Sequence, residues 1–192
     1  MKLNLGCGYK KMPGFVNVDS DSRAKPDLLW NLEQTPWPWE DGTIDHIVLT
    51  HTLEHLGETT EKYLSIWKEM WRVLCNGGVV EITVPHWRHD NFVHDPTHVR
   101  AITPIGVGMF DQERNMENLR INGAETKLGL QCGIDFSLAK IRYDLCDPWQ
   151  SQMQNGQLSE DDILELMASR SNVCEQIAIM VAANKPCRYP NN

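Results

Sequence analysis

Two glycines and an aspartate near the start of the chain have the types and spacing of a nucleoside-binding site. Gly6-Cys7-Gly8 follows the apolar run Leu3-Asn4-Leu5, and Asp19 ends the next apolar run. Glycines let a ligand approach the backbone closely, and an acid at the tip of an adjacent strand accepts hydrogen bonds from ribose hydroxyls. The pattern predicts one site made by two neighbouring strand ends, although an ordinary tight turn would give the same G-x-G. Lys11 stands where a dinucleotide fingerprint needs its third glycine, and the absence of G-K-[ST] excludes a P-loop.

A second group of chemically active side chains lies between residues 85 and 100, after the predicted fifth strand. It contains four histidines and two aspartates, namely His86, His89, His94, His98, Asp90 and Asp95. In open α/β sheets, ligands bind at the carboxyl ends of the strands, so this segment is where a second substrate is expected. A neutral imidazole can take a proton from an alcohol or amine near pH 7. His86 and His98 are therefore candidate general bases, together with His51 after the fourth strand.

Two other uses of the histidine segment stay open. A His and carboxylate cluster can bind a divalent metal, but spacings of three, five and four between successive histidines do not match a tight zinc pattern. Alternatively, Asp95-Pro96-x-His98 is a rigid turn with its imidazole bound to a backbone group. We assign no metal ligand from the sequence.

The first half of the chain has the pattern of a parallel sheet. Bounded apolar runs, typical of strands buried on both faces, occur at residues 2–5, 15–18, 27–32, 46–50 and 79–84. Between the last two, Thr59 or Thr60 caps a predicted helix whose apolar residues recur at helical spacing until Gly77-Gly78. Strand, helix and strand predict a right-handed βαβ unit.

The remainder of the chain has a different pattern. Ser137 to Tyr143 and Glu175 to Ala183 are predicted strands, and Ser159 caps a helix between them. Thr103-Pro104 predicts the start of a short helix that could cover the acceptor. Residues 86–135 contain no predicted strand, so we interpret them as an acceptor-side insertion in one domain that spans residues 1–192.

Composition limits the classes of protein. The 192 residues are 41% hydrophobic with a net charge of -8, and no apolar run reaches the ~20 residues of a membrane span. We expect a cytoplasmic protein that binds neither membrane nor nucleic acid, with no secretory signal. Its six cysteines form no C-x-x-C pair and are expected to be free thiols.

Several ordered motifs together resemble a known family. They are Leu3-Asn4-Leu5-Gly6-Cys7-Gly8, Asn31-Leu32-Glu33, Pro36-Trp37-Pro38, Leu53-Glu54-His55, and the segment from Val73 to Gly78. The chain resembles the class I S-adenosylmethionine-dependent methyltransferases, especially the small type 11 group, closely over residues 2–86. The resemblance implies a doubly wound α/β fold with a mostly parallel seven-strand sheet of the Rossmann-like methyltransferase type, whose last two strands form an antiparallel pair.

The resemblance also implies a cofactor, S-adenosyl-L-methionine, and its contacts. Gly6, Cys7 and Gly8 would approach its methionine part, and Asp19 would hold the ribose hydroxyls. Asn31 and Leu32 would lie near the adenine, and Thr50 and His51 near the sulfonium. Because only eleven positions separate Gly8 from Asp19, the usual first helix is expected to be absent or reduced to a turn. One wall of the site would then be open or completed by another subunit, which leaves a homo-oligomer open.

Some of these residues have structural alternatives. Glu54 and His55 would serve only to orient the backbone or fix a loop, and Trp37 and Trp39 would pack a proline-rich loop onto the sheet rather than stack on adenine. The predicted function is methyl transfer to an oxygen or nitrogen of a small-molecule or sugar-like acceptor. The alternatives are a non-catalytic nucleoside-binding domain and a His/Asp metal-dependent hydrolase.

Overall fold

One seven-stranded sheet runs through the computed structural model, which describes residues 1–190. The strands follow the spatial order β3-β2-β1-β4-β5-β7-β6. They are β1 (Lys2–Leu5), β2 (Val16–Asp19), β3 (Leu28–Leu29), β4 (Ile44–Thr50), β5 (Leu74–Pro85), β6 (Phe136–Leu145) and β7 (Cys174–Ala183).

Five strands are parallel, and the last two reverse direction. The pairs β3–β2, β2–β1, β1–β4 and β4–β5 are all parallel, whereas β7 is antiparallel to both β5 and β6. Leu3, Leu5, Ile47 and Leu49 on the central strands are fully buried. The doubly wound, mostly parallel sheet and the antiparallel final pair are thus confirmed. The strand predicted over residues 27–32 is much shorter, because only Leu28 and Leu29 pair with β2.

Seven α-helices are found within the described residues. They are α1 (Thr60–Val73), α2 (Asp90–Val93), α3 (Pro104–Gly108), α4 (Gln112–Arg120), α5 (Leu128–Cys132), α6 (Trp149–Gln154) and α7 (Glu160–Ser169), with short 3-10 helices at Ser22–Ala24 and Leu53–His55. None of these helices is long and apolar enough to cross a lipid bilayer.

The long helix α1 begins as predicted but ends earlier. Thr59 accepts a hydrogen bond from the Lys62 backbone N–H and caps the helix. The prediction that Gly77-Gly78 ends it was wrong, because Leu74 already pairs with Ile44 in the sheet. The glycines lie within β5 beside a register shift, and Gly77 has a φ of +76°. They therefore accommodate an irregular strand rather than a helix end.

The connection between β1 and β2 contains no helix. It is made of turns closed by the Lys10 N–H to the Cys7 carbonyl (2.9 Å) and the Phe15 N–H to the Met12 carbonyl (3.3 Å). The predicted loss of the first helix is confirmed. This side of the carboxyl edge is therefore covered only by a short loop.

The segment 86–135 carries α2 to α5 and no strand, as predicted. Thr103 caps α3 by accepting from the Gly106 N–H, with Pro104 at the first helical position. Phe110 then stacks on Trp67 of α1, with ring centroids 4.3 Å apart. This aromatic contact fixes the segment to the core of the domain.

The C-terminal elements also follow the prediction. Ser159 and Asp162 form a capping box at the start of α7, which lies between β6 and β7 along the chain. All six cysteines are free thiols, as expected.

Candidate functional site

Two adjoining clefts lie at the carboxyl ends of β1, β2 and β4. They have volumes of about 460 and 390 Å³ and share Gly6, Gly8 and His51 in their linings. The first is completed by Asn4, Cys7, Tyr9, Lys10, Met12 and Thr50. The second is completed by Asp19, Ser20, Trp30, Asn31, Leu32, Thr52, His55 and Leu56. We call the two together the edge groove, and each cleft is large enough for part of a nucleoside-sized ligand.

All eight residues predicted to contact the cofactor line the edge groove. The parallel sheet brings them together because β1, β2 and β4 end at the same edge. The individual contacts stay predictions.

The glycine turn uses its two glycines differently. Both have positive φ, +68° at Gly6 and +48° at Gly8. A Cβ at Gly6 would lie 2.3 Å from Thr52 Cγ2, whereas a Cβ at Gly8 would meet no atom within 4 Å. Gly6 is therefore required by packing of the turn against Thr52. Gly8 leaves open space where a ligand can approach the backbone.

Asp19 is held in place by the backbone. One carboxylate oxygen accepts the Gly8 N–H at 2.7 Å, and the other accepts the Asp21 N–H at 2.8 Å. An ionised carboxylate offers about four lone-pair sites, so two remain for hydroxyl donors. The side chain is thus oriented before any ligand binds.

The tryptophans of the proline-rich loop do not reach the edge groove. Trp37 is buried, and its indole N–H donates to the Leu32 carbonyl at 3.0 Å. Trp39 packs edge-on against Trp37. Packing of the loop is therefore favoured over stacking on adenine, and Trp30 is the tryptophan that lines the groove.

His51 lies where the two clefts join. Its side chain is 43% exposed, and its Nδ1 lies 3.6 Å from Glu54 Oε1. The Glu54 carboxylate raises the pKa of His51, while burial and the charge of Lys10 oppose that rise. Lys10, which lines the first cleft together with His51, was not singled out from the sequence, although it lies two residues after Gly8.

The structure does not bring the other two candidate bases into the edge groove. His86 is 2% exposed, its Nδ1 accepts the Arg88 N–H at 3.1 Å, and burial lowers the pKa of His86 to about 4. His98 stacks on Phe92, and its Nδ1 lies 2.8 Å from the Phe92 carbonyl oxygen. Neither lines either cleft, so only His51 of the three stands beside the predicted cofactor site.

Glu54 differs from the loop-fixing residue that the sequence suggested. Its backbone does have that role, because its carbonyl accepts the Val99 N–H at 2.9 Å and the Arg100 N–H at 3.3 Å. Its side chain is 1% exposed, and neither carboxylate oxygen has a hydrogen-bond partner among the described residues. Burial of this carboxylate could not be foreseen from local sequence, because the backbone contacts of Glu54 with Val99 and Arg100 join segments more than forty positions apart.

Comparisons with known proteins agree with this architecture. Residues 13–82 match a family model described as a methyltransferase domain. A SAM-dependent methyltransferase from Archaeoglobus fulgidus is similar over 94% of this chain and 85% of its own, with 18% identity and a TM-score of 0.61. A SAM-dependent methyltransferase structure from Methanosarcina mazei covers 95% of this chain and 92% of its own, with 14% identity and a TM-score of 0.51.

One chain of a complex between the Haloferax volcanii Trm112 methyltransferase activator and a putative methyltransferase is also similar. It covers 98% of this chain and 83% of its own, with 14% identity and a TM-score of 0.51. No curated protein matches the sequence. At these identities the structural likeness establishes the fold. The family match adds the class of reaction, which favours a methyltransferase over a nucleoside-binding domain or a metal-dependent hydrolase.

Proposed function

We propose that this chain, which has the fold of its methyltransferase neighbours and matches a methyltransferase family model over residues 13–82, is a class I S-adenosylmethionine-dependent methyltransferase. We infer that the edge groove holds the cofactor in an extended form. The adenosine would occupy the cleft that contains Asp19, Asn31 and Leu32. The methionine part would occupy the cleft that contains Gly8 and Lys10. Because both clefts are lined by His51, the sulfonium would lie beside that residue.

The residues present fit this cofactor. Asp19 has two free acceptor sites for the two ribose hydroxyls, and its orientation is fixed by two backbone N–H groups. The open space over Gly8 lets the ligand approach the backbone. Lys10 offers a positive charge for the cofactor's carboxylate. The fixed Asp19 beside the open backbone of Gly8 is the observation that carries the proposal.

When bound, the cofactor supplies an electrophilic methyl group on a positively charged sulfur. The chain's contribution is to bind it along the groove and to align the acceptor opposite the carbon–sulfur bond. We assign removal of the acceptor's proton to His51, because it is the one candidate base that lines the groove.

The acceptor is proposed to be a small molecule or a sugar-like metabolite that reacts through oxygen or nitrogen. The net charge of -8 favours a neutral or cationic compound over a nucleic acid. Transfer of a labelled methyl group from the cofactor to a panel of sugars and amines tests this class. Labelling of proteins alone would contradict it.

The cofactor site is tested by replacing Asp19. Asp19→Ala removes two acceptors for ribose hydroxyls, so we expect affinity for S-adenosylmethionine to fall about 10- to 100-fold, measured by calorimetry. Asp21→Ala is the matched control, because this acid lies two residues away and caps a 3-10 helix without lining the groove. Equal affinity of Asp19→Ala and wild type would contradict the proposal.

A further inference from the structure

We propose that Glu54, His55 and His98 form a binding site for one divalent transition-metal ion of the Zn²⁺ class. One ligand-capable atom from each residue lies within 4.8 Å of those of the other two. A carboxylate and two imidazoles are a ligand set that proteins use for Zn²⁺ and related ions, with further positions left for water or substrate. The proposal concerns the apoprotein and does not depend on where the cofactor or acceptor binds.

The buried Glu54 carboxylate is the first observation. It is 1% exposed, both of its oxygens lack a hydrogen-bond partner, and within the described part of the chain the one basic nitrogen within 4.0 Å is His51 Nδ1 at 3.6 Å. An ionised carboxylate removed from water without partners is costly, and buried charges are normally paired or bound to metals. A cation at this position would satisfy the oxygens that the protein leaves unpaired.

The two imidazoles are the second observation, because each has its Nδ1 bound elsewhere. His98 Nδ1 lies 2.8 Å from the Phe92 carbonyl oxygen, to which it can only donate. His55 Nδ1 lies 2.9 Å from Thr97 Oγ1. The Thr97 hydroxyl donates its own hydrogen to Asp95 Oδ1 at 2.6 Å, so its oxygen accepts from His55.

Both rings therefore carry their proton on Nδ1 and present the lone pair of Nε2. Donation of the other ring N–H to a carbonyl or to a carboxylate-linked group is how metal-binding histidines are usually oriented. Asp95 Oδ2 is also near His98 Nε2, but at 3.9 Å the pair is too far apart for a hydrogen bond. The lone pairs are thus available to a cation.

The backbone holds the three ligands in register. Val99, next to His98, and Arg100 both donate their N–H groups to the Glu54 carbonyl. His55 lines the edge groove, so the site is reached from the cleft that contains Asp19. Tetrahedral coordination at about 2.0–2.1 Å would place ligand atoms about 3.4 Å apart. Binding of the ion would therefore require side-chain rotations that shorten the present separation of up to 4.8 Å.

The test is metal titration of the chelator-treated, full-length protein in the absence of S-adenosylmethionine. Zn²⁺ is added in competition with a chromophoric chelator, and one site per chain is expected. Glu54→Gln and His98→Ala should each weaken that site on the order of 100-fold, whereas His94→Ala, an exposed histidine of the same segment, should not. Thr97→Val should weaken it about 10-fold by releasing the His55 ring.

Co²⁺ provides a second readout that separates this site from the cysteines. Nitrogen and oxygen ligands give d–d absorption without the thiolate-to-cobalt charge-transfer bands that cysteine ligands produce. Unchanged Zn²⁺ affinity in Glu54→Gln and His98→Ala, or charge-transfer bands that persist in them, would overturn the proposal. Circular dichroism of each variant shows that it is folded.

Discussion

The edge groove and two buried side chains outside it, Glu54 and His86, differ in how their polar groups are satisfied. In the groove, each oxygen of Asp19 accepts a backbone N–H. Beneath the groove, Asn17 Oδ1 accepts from the Asn4 amide and the Met12 N–H at 2.9 and 2.8 Å. By contrast, both oxygens of Glu54 and Nε2 of His86 are buried without a partner among the described residues.

The groove thus has polar groups that are already paired, whereas Glu54 and His86 have buried polar atoms that still lack partners. A satisfied network is rigid and already has the geometry that a ligand requires, whereas unpaired buried groups cost stability until something pairs with them. The groove is therefore preorganised by the chain itself, and the Glu54 cluster is completed by a ligand.

In the preorganised edge groove, we expect the largest loss of stability from substitution of Gly6. Gly6→Ala combines a left-handed φ, which costs about 1–2 kcal/mol, with a clash against Thr52, which costs about 1–3 kcal/mol. We expect the free energy of unfolding in urea to fall by about 3 kcal/mol. Gly8→Ala has the strained φ without the clash and should lose only about 1–2 kcal/mol. Equal losses would show that contact with Thr52 does not determine the turn.

Removing polar groups should have opposite effects on the two sides. Asn17→Ala removes the acceptor of the Met12 N–H and one of the two acceptors of the Asn4 amide, which also donates to the Lys10 carbonyl, so we expect the free energy of unfolding to fall by about 2–3 kcal/mol. Glu54→Gln removes a buried carboxylate that accepts no hydrogen bond, and it also removes the attraction to His51, so the metal-free protein should gain no more than about 1 kcal/mol. Thermal unfolding after chelator treatment measures both. Destabilisation by Glu54→Gln would mean that the carboxylate is already paired.

The buried His86 should make stability depend on pH. Its folded-state pKa is about 4 and its ordinary value is 6.5, so the unfolded chain binds the proton more tightly. The buried, neutral His86 makes its full contribution to the free energy of unfolding above pH 6.5. That free energy should fall by about 2 kcal/mol by pH 5, because the unfolded chain then binds the proton. His86→Asn keeps an acceptor for the Arg88 N–H and should remove this component. The exposed His94→Asn should not, and an unchanged slope in His86→Asn would contradict the assignment.

Local features of the fold could be predicted because their causes are local. The missing first helix follows from the few residues between Gly8 and Asp19, and the cap of α7 follows from Ser159 and its neighbours. The end of α1 could not, because a pair of glycines ends a helix or permits a strand irregularity equally well. Pairing of Leu74 with Ile44, a tertiary contact, decides between them.

The same limit applies to the site. Strand-end motifs indicate the groove because parallel strands bring their carboxyl ends together, and this is how residues as far apart as Gly8 and His51 become neighbours. The histidine segment is not a strand, so no sheet pairing fixes the positions of its side chains. Its composition therefore suggested His86 and His98 as bases without showing which way they face. The approach of His98 to Glu54 depends on backbone bonds between distant loops.

The short β1–β2 connection also bears on the order of folding. Leu3 pairs with Val16 thirteen residues away, whereas Val79 pairs with Ala182 at a separation of 103 residues. Loop-closure entropy grows with the logarithm of length, so the second pairing costs about 2 kcal/mol more to close. Contacts of low sequence separation form fastest. We therefore expect the β1–β2 pair, and with it the Gly8–Asp19 contact, to form before the antiparallel edge is added.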